Sequence, residues 1–236
     1  MIKEARELYK TETHLHTCEV SGCGRLPAAE MVKLYHEAGY HTLFITDHFD
    51  EYTLSRWGEL PWEEKITRFL AGYEAAKAAA ADIDMDVLLS AEIRLNCSPN
   101  HYLVYGIDRD FLENLPGKLD ILPQNLLEYA HEKDAMVIQA HPRRPETNPA
   151  LNCFPTPEFV DGFEVFNSNP RHDDNNKATF EQAKSLGLLK TAGSDAHRYE
   201  DVAGTGVYSR ERIRTAEQFI SLIRTADVEF INTEGL

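Results

Sequence analysis

Short apolar runs alternate along the chain with longer stretches whose apolar residues recur at helical spacing. Residues 11–16 read as a first strand. Residues 27–38 follow with Met31, Leu34, Tyr35 and Ala38 on one helical face, and Gly39 ends that pattern. Residues 42–46 (TLFIT) form a second apolar run, 62–81 a long Ala-rich helix, and 87–93 a third strand. The polar segment NCSPN then leads directly into a strand-like run at 102–106. A parallel crossover needs a dozen residues or more, so these two strands are expected to be antiparallel if they are neighbours. Helix is expected again over 122–133, 175–186 and 216–226. Strands are expected over 135–140, 162–166 and 188–192, with a last short one at 229–232. Residues 142–157 hold five prolines and read as loop. Repeated strand–helix units predict an α/β barrel, with residues 1–236 as one domain and the chemistry at the carboxyl ends of the strands.

Composition bounds the function. The 236 residues are 42% hydrophobic and carry a formal net charge of -15. That surface repels a phosphate backbone, so nucleic acid is a disfavoured partner, although bound cations can reverse the field locally. No run of 18 apolar residues occurs, so no membrane partner is expected. The start lacks an apolar signal core. Cys18, Cys23, Cys97 and Cys153 form no CxxC pair, which suggests reduced thiols and a cytoplasmic protein.

Histidines and acids gather where strands end. His14 and His16 lie two apart on the first strand, so both imidazoles point to one face and can reach one ion. His48 closes LFITDH, and Asp47 beside it is either a ligand, a group orienting a histidine, or a helix cap. Glu92 sits in an apolar strand, where a carboxylate is costly unless paired or bound to metal; pairing with Arg94 is its simplest alternative. His101 begins the next strand and, if that strand is antiparallel, comes to the same end as Glu92. His141 follows MVIQA, and Asp195 and His197 occur together in GSDAH. The remaining histidines, His36, His41, His131 and His172, fall in helices, before a strand or in loops and are given no role.

The ordered set HLHT, TDH, the strand glutamate, HYLVYG, AHP and GSDAH resembles the PHP family of polymerase and histidinol phosphatase domains, from about Thr13 to His197. The resemblance implies a distorted seven-stranded β/α barrel of TIM-like form. It implies two or three divalent metal ions, zinc, manganese or iron, and hydrolysis of phosphate esters. His14, His16, Glu92 and Asp195 would hold one ion, and Glu92, His101 and His141 a second. His48 and His197 would help to hold a third. Where family members with three metals carry a further histidine or aspartate, this chain has Gly22. Glu19 is the favoured replacement, ahead of Cys23, because a hard carboxylate suits manganese and iron as well as zinc.

Two ions at close range lower the pKa of a bridging water and neutralise an attacked phosphate, so no protein nucleophile is expected. Arg143 and Arg198, which follow AHP and GSDAH, are the expected phosphate-binding side chains; Arg94, Arg144 and Arg171 are further candidates. Glu164, on the strand GFEVF, is placed near the site and not counted as a ligand. The expected substrate is a small phosphorylated metabolite. The alternatives are a non-phosphorus hydrolase of amidohydrolase type and a non-catalytic metal-binding regulatory module.

Overall fold

Strands and helices alternate as the apolar pattern requires over residues 8–233, the part of the chain that this computed structural model describes. The strands are β1 (Tyr9–Leu15), β2 (Tyr40–Ile45), β3 (His48–Phe49), β4 (Asp86–Arg94) and β5 (His101–Tyr105). They continue with β6 (Met136–Gln139), β7 (Gly162–Asn167), β8 (Leu189–Gly193), β9 (Val207–Ser209) and β10 (Val228–Phe230). They form one sheet in the order β10-β9-β1-β2-β4-β5-β6-β7-β8, with the two-residue β3 also paired to β4. A parallel bridge between Leu15 and Ala196 brings the end of β8 back to β1 and nearly closes the sheet into a barrel.

The strand count departs from the expected seven. Nine strands lie along the sheet, because β9 and β10 add an antiparallel pair to the free side of β1. Both are three residues long, and β9 (VYS) has too little apolar pattern to announce itself. The antiparallel step falls where expected: β4 and β5 pair with Glu92 opposite Leu103 and Arg94 opposite His101. The expected helix over 62–81 is two helices, Trp62–Phe69 and Ala71–Ala80, which meet at Leu70.

Burial explains the architecture. The helix Ala28–Glu37 presents Ala28, Met31, Val32 and Tyr35 to the core at the i, i+3, i+4, i+7 spacing of one helical face. The helix Ala216–Thr225 inserts Phe219 between Phe44 and Tyr105, with ring centroids 4.7 and 4.9 Å away. Each such side chain removed from water contributes roughly 1.5–3 kcal/mol. The first four pack with Leu43, Ile45 and Ala76 in one apolar cluster, and Phe219 packs with Phe44, Leu103, Tyr105 and Ile138 in another. The carboxyl ends of the parallel strands are left to polar side chains.

All four cysteines are free thiols, and only Cys153 is buried. No described helix is long and apolar enough to cross a membrane.

Candidate metal centre

Glu92 is the hub of the polar end. It is almost wholly buried on β4, and five imidazoles surround its carboxylate. His48 Nδ1 lies 2.7 Å from Oε2; His101 Nδ1 and His141 Nε2 each lie 2.9 Å from Oε1. His16 Nε2 and His14 Nε2 follow at 3.4 and 3.6 Å. Asp195 closes the cluster from β8, with Oδ1 3.1 Å from His16 Nε2 and 3.4 Å from His14 Nε2. His197 lies beside it, its Nδ1 2.8 Å from the Asp195 carbonyl oxygen. Eight of the nine residues named as ligands are therefore brought together. Their ring nitrogens and carboxylate oxygens form four overlapping sets: His14, His16 and Glu92; His14, His141 and Asp195; His48, Glu92 and His101; His16, His48 and His197.

Local structure aims these atoms. His14 Nδ1 is 2.8 Å from Glu164 Oε1 on β7, and His16 Nδ1 is 3.2 Å from the Ser21 hydroxyl. With Nδ1 engaged behind it, each ring turns Nε2 toward the cluster, and the two Nε2 atoms stand 3.2 Å apart. Glu164 also accepts from the His141 backbone N–H at 3.0 Å and from Asn167 Nδ2 at 2.9 Å, so one carboxylate braces two metal-ligand candidates. His141 and Asp195 both have positive φ, 30° and 52°, conformations that non-glycine residues adopt at a cost of order 1–3 kcal/mol. The Asp195 turn is held by its N–H donating to the His14 carbonyl at 2.7 Å. Gly193 lets β8 approach, since a Cβ there would come within 2.5 Å of His14 Cβ and 2.8 Å of Glu164 Oε1.

The electrostatics suit a divalent cation. Burial alone would raise Glu92; the charges of His101, His48 and His14 outweigh it and hold the carboxyl well below its usual range. Burial likewise opposes Asp195, and Arg144, His14 and His197 bring it down. Burial lowers His14, yet Glu164, Asp195 and Glu92 raise it well above its ordinary value. His16 goes the other way, lowered by burial and by His197 and His48. The metal-free cluster thus keeps its carboxylates ionised by loading protons onto some imidazoles. Glu92 Oε2 is buried and makes no well-directed hydrogen bond despite its close imidazole neighbour. Two imidazole Nε2 atoms in near contact and an orphaned carboxylate oxygen are what a divalent ion of nitrogen–oxygen preference would satisfy.

The other named residues fall differently. Glu19 is not in the cluster: both of its oxygens are 3.0 Å from the Ala28 backbone N–H, at the start of the helix Ala28–Glu37. A helix start offers unpaired N–H groups that attract a carboxylate, and this one claims Glu19. Position 22 holds no ligand, and a Cβ there would meet the Arg56 guanidinium at 2.5 Å. Cys23 lines the cleft with His48 and His197. Burial pushes its thiol up, but hydrogen bonds from His197 and His48 prevail and bring it to about 6. Asp47 is neither ligand nor helix cap. It accepts from the Thr17 N–H and hydroxyl at 2.7 Å and from the Ser21 hydroxyl at 2.6 Å, tying the loop after β1 to β2.

Arg143 turns away from the cleft and donates to Gln182 Oε1 at 2.6 Å. Arg198 lines the cleft and, among the described residues, its guanidinium pairs with Glu200 at 3.9 Å. Arg144 is the residue whose role was least legible. It is buried, clamps Asp174 with two nitrogens at 2.8 Å, and donates to Asp195 Oδ2 at 2.6 Å. Its position directly after AHP was the available signal; its partners, 30 and 51 residues away, were not visible in sequence.

Two hollows open above the cluster and share Cys23, His48 and His101. One, of about 270 Å³, carries Arg171, Arg198 and His172; the other, of about 430 Å³, carries Arg94, Asp50 and Tyr52. Arg94 pairs with Asp50 at 3.1 Å and Arg171 with Asp201 at 2.6 Å, so most of this positive charge is already matched.

Comparison with known proteins bears on the fold. Residues 173–228 match the family model for PHP_C, described as PHP-associated. No protein of curated function matches the sequence. Among solved structures, the chain resembles a two-domain protein containing a predicted PHP-like metal-dependent phosphoesterase from Bacteroides vulgatus ATCC 8482. The identity is 14% over 95% of this chain, with a TM-score of 0.69. This chain spans 65% of that protein. It also resembles an amidohydrolase from Chromobacterium violaceum with bound sulfate and no metal, at 16% identity, TM-score 0.52, covering 93% of this chain and 97% of that one. Endonuclease Q, in complex with a 27-mer duplex substrate carrying an abasic lesion at the active site, is similar at 15% identity and TM-score 0.55. That match covers 93% of this chain and 57% of that one.

The last similarity corrects the expectation that nucleic acid is disfavoured. A structure of the same fold holds duplex DNA at its active site, so net charge does not decide the matter for this architecture. The physical reason is that -15 is a sum over the whole surface, whereas a ligand at the cleft meets only the local charge, where Arg198 is loosely held and bound cations would add to it.

Proposed function

We propose that this chain is a PHP-type metal-dependent phosphoesterase, with a small phosphate monoester as its substrate class. The observation that carries the proposal is the set of five imidazoles around the single buried carboxylate of Glu92. No core needs such a set for packing, and five imidazoles around one carboxylate leave more nitrogen lone pairs than protein donors can satisfy.

His14, His16, Glu92 and Asp195 would hold one ion, and Glu92, His101 and His141 another, zinc, manganese or iron. When bound, such ions supply Lewis acidity and a water that is acidic near neutral pH. The chain's own residues do the remainder. Glu164 and Ser21 fix the orientation of His14 and His16. Arg144 occupies Asp195 Oδ2 and leaves Oδ1 to the cluster. His48 and His101, each about one-fifth exposed, form the part of the floor that a substrate meets. Arg198, held most loosely of the cleft arginines, is free to swing onto a substrate oxygen. The hollows, at 270 and 430 Å³, match a small ligand.

A substrate panel tests the proposal: aryl phosphate, sugar and amino-alcohol phosphates, a phosphodiester, a lactone, and duplex DNA with an abasic site, each with added manganese or zinc. The proposal expects the highest kcat/KM on a small monoester. Turnover of the lactone alone would overturn the phosphoesterase reading. A preference for the DNA would overturn the substrate class.

A further inference from the structure

The cluster His16, His48 and His197 is the one set of the four that contains no carboxylate. His16 is wholly buried, His197 is 8% exposed, and the three rings stack at centroid distances of 4.2 and 4.3 Å about His16. Three imidazoles leave one position of a four-coordinate divalent site open, to be filled by water or by a further side chain. The residue favoured for this from sequence, Glu19, is committed to the N–H of Ala28.

The loop after β1 carries another candidate to the same place. Three hydrogen bonds fix it on either side of Cys23. Before it, the Ser21 hydroxyl accepts from the His48 backbone N–H at 3.0 Å and donates to Asp47 at 2.6 Å. After it, the Arg25 N–H donates to the His197 carbonyl at 2.8 Å. The loop is thus pinned to the backbones of His48 and His197, with Cys23 between the pins. Gly24 makes the turn back, and a Cβ there would collide with the Thr17 carbonyl oxygen at 2.8 Å. Among the described residues Cys23 is the only cysteine lining the cleft; Cys97 donates to the Ile121 carbonyl, and Cys153 lies behind His141, 3.8 Å from its Nδ1.

We infer that Cys23 is the thiolate ligand of a third metal site, completed by His48 and His197. The inference rests on the proposed metal-dependent reading and sharpens it. A sulfur donor makes this position the softest of the three, so it favours zinc, cobalt or cadmium over manganese, while the carboxylate-rich positions accept either kind. It also makes the third ion the one that oxidation or alkylation of the protein would remove.

Cobalt is the probe. Chelator-treated protein titrated with cobalt(II) is expected to develop a thiolate-to-cobalt charge-transfer band in the near ultraviolet. Cys23→Ser should lose that band and keep the weaker visible bands of cobalt bound by nitrogen and oxygen. Cys18→Ser, Cys97→Ser and Cys153→Ser should keep both. Iodoacetamide with peptide mapping gives a second readout: Cys23 should be alkylated in chelated protein and protected once cobalt is bound, while Cys18 and Cys97 react equally in both. Cobalt binding without a charge-transfer band, or with a band that survives Cys23→Ser, overturns the thiolate ligand and leaves the metal-dependent reading standing. No cobalt binding at all overturns both.

Discussion

Two glutamates on barrel strands that flank β2, Glu12 on β1 and Glu92 on β4, are equally removed from water and have opposite protonation tendencies. Glu92 stands among five imidazoles, which outweigh burial and keep it ionised. Glu12 lies deeper, where one oxygen accepts from the N–H groups of Thr13, His14 and Ser194 at 2.9–3.0 Å and the other has no partner. Burial dominates there and pushes its carboxyl up to about 7 against those hydrogen bonds. Burial is thus common to both, and the neighbours decide. The upper layer of the barrel is arranged to keep negative charge in place for a cation; the layer beneath tolerates a carboxyl only by letting it take up a proton near neutral pH.

The sharpest way to break this contrast is to remove a ligand. His14→Ala or Asp195→Ala should reduce phosphatase activity to background, a loss well above the roughly 10–100-fold that residues behind a metal ligand are worth. Circular dichroism of the variants should stay close to the parent; activity above about a tenth of the parent's would contradict the site.

Substituting the two glutamates separates the layers by sign. In chelated protein at pH 8, Glu92→Gln removes the centre of a buried charge network and should cost about 3–5 kcal/mol. Its folded pKa is depressed, so the stability it gives is present above about pH 4.5 and is lost as pH falls through the folded value. Glu12→Gln should act oppositely. Its folded pKa is raised from 4.5 to about 7, so ionisation destabilises the fold as pH climbs across that window. The variant should gain up to about 3 kcal/mol above pH 7 and nothing below pH 4.5, as urea unfolding at several pH values would measure. Equal effects of the two substitutions would dissolve the contrast.

Smaller effects refine it. Glu164→Gln should lower metal affinity by about 10–100-fold through loss of the His14 brace, with little change in kcat once metal is saturating. Metal binding should release protons at pH 7, since His141 is held up at about 10 in the metal-free cluster and must shed its proton to ligate. A pH-stat titration that detects no release would count against the assignment. The least effect is expected from Arg198→Ala, a several-fold rise in KM with kcat nearly unchanged.

Much of this was legible in the sequence, and the exceptions have a common origin. The eight clustered ligand candidates could be named because strand ends place side chains predictably and because each motif is local: HLH, TDH, AHP and SDAH. The barrel followed from strand–helix alternation, and the antiparallel step from the shortness of NCSPN. What could not be read depends on partners distant in the chain. Glu19 was drawn off by the start of the helix Ala28–Glu37, and Arg143 by Gln182, 39 residues on. Arg144 and Glu164 belong to the site only through contacts across the barrel. Strand β9 exists because β1 offers an edge, not because its three residues carry a pattern, whereas β10, which pairs with β9, overlaps the short strand expected at 229–232.

The central claim is that the upper layer holds divalent ions and the lower layer does not contribute to them. Metal analysis of the parent, Glu92→Gln and Glu12→Gln proteins after reconstitution tests it most directly. The account predicts about two or more equivalents in the parent and in Glu12→Gln, and under about one in Glu92→Gln. Undiminished metal in Glu92→Gln, or none in the parent, would contradict it.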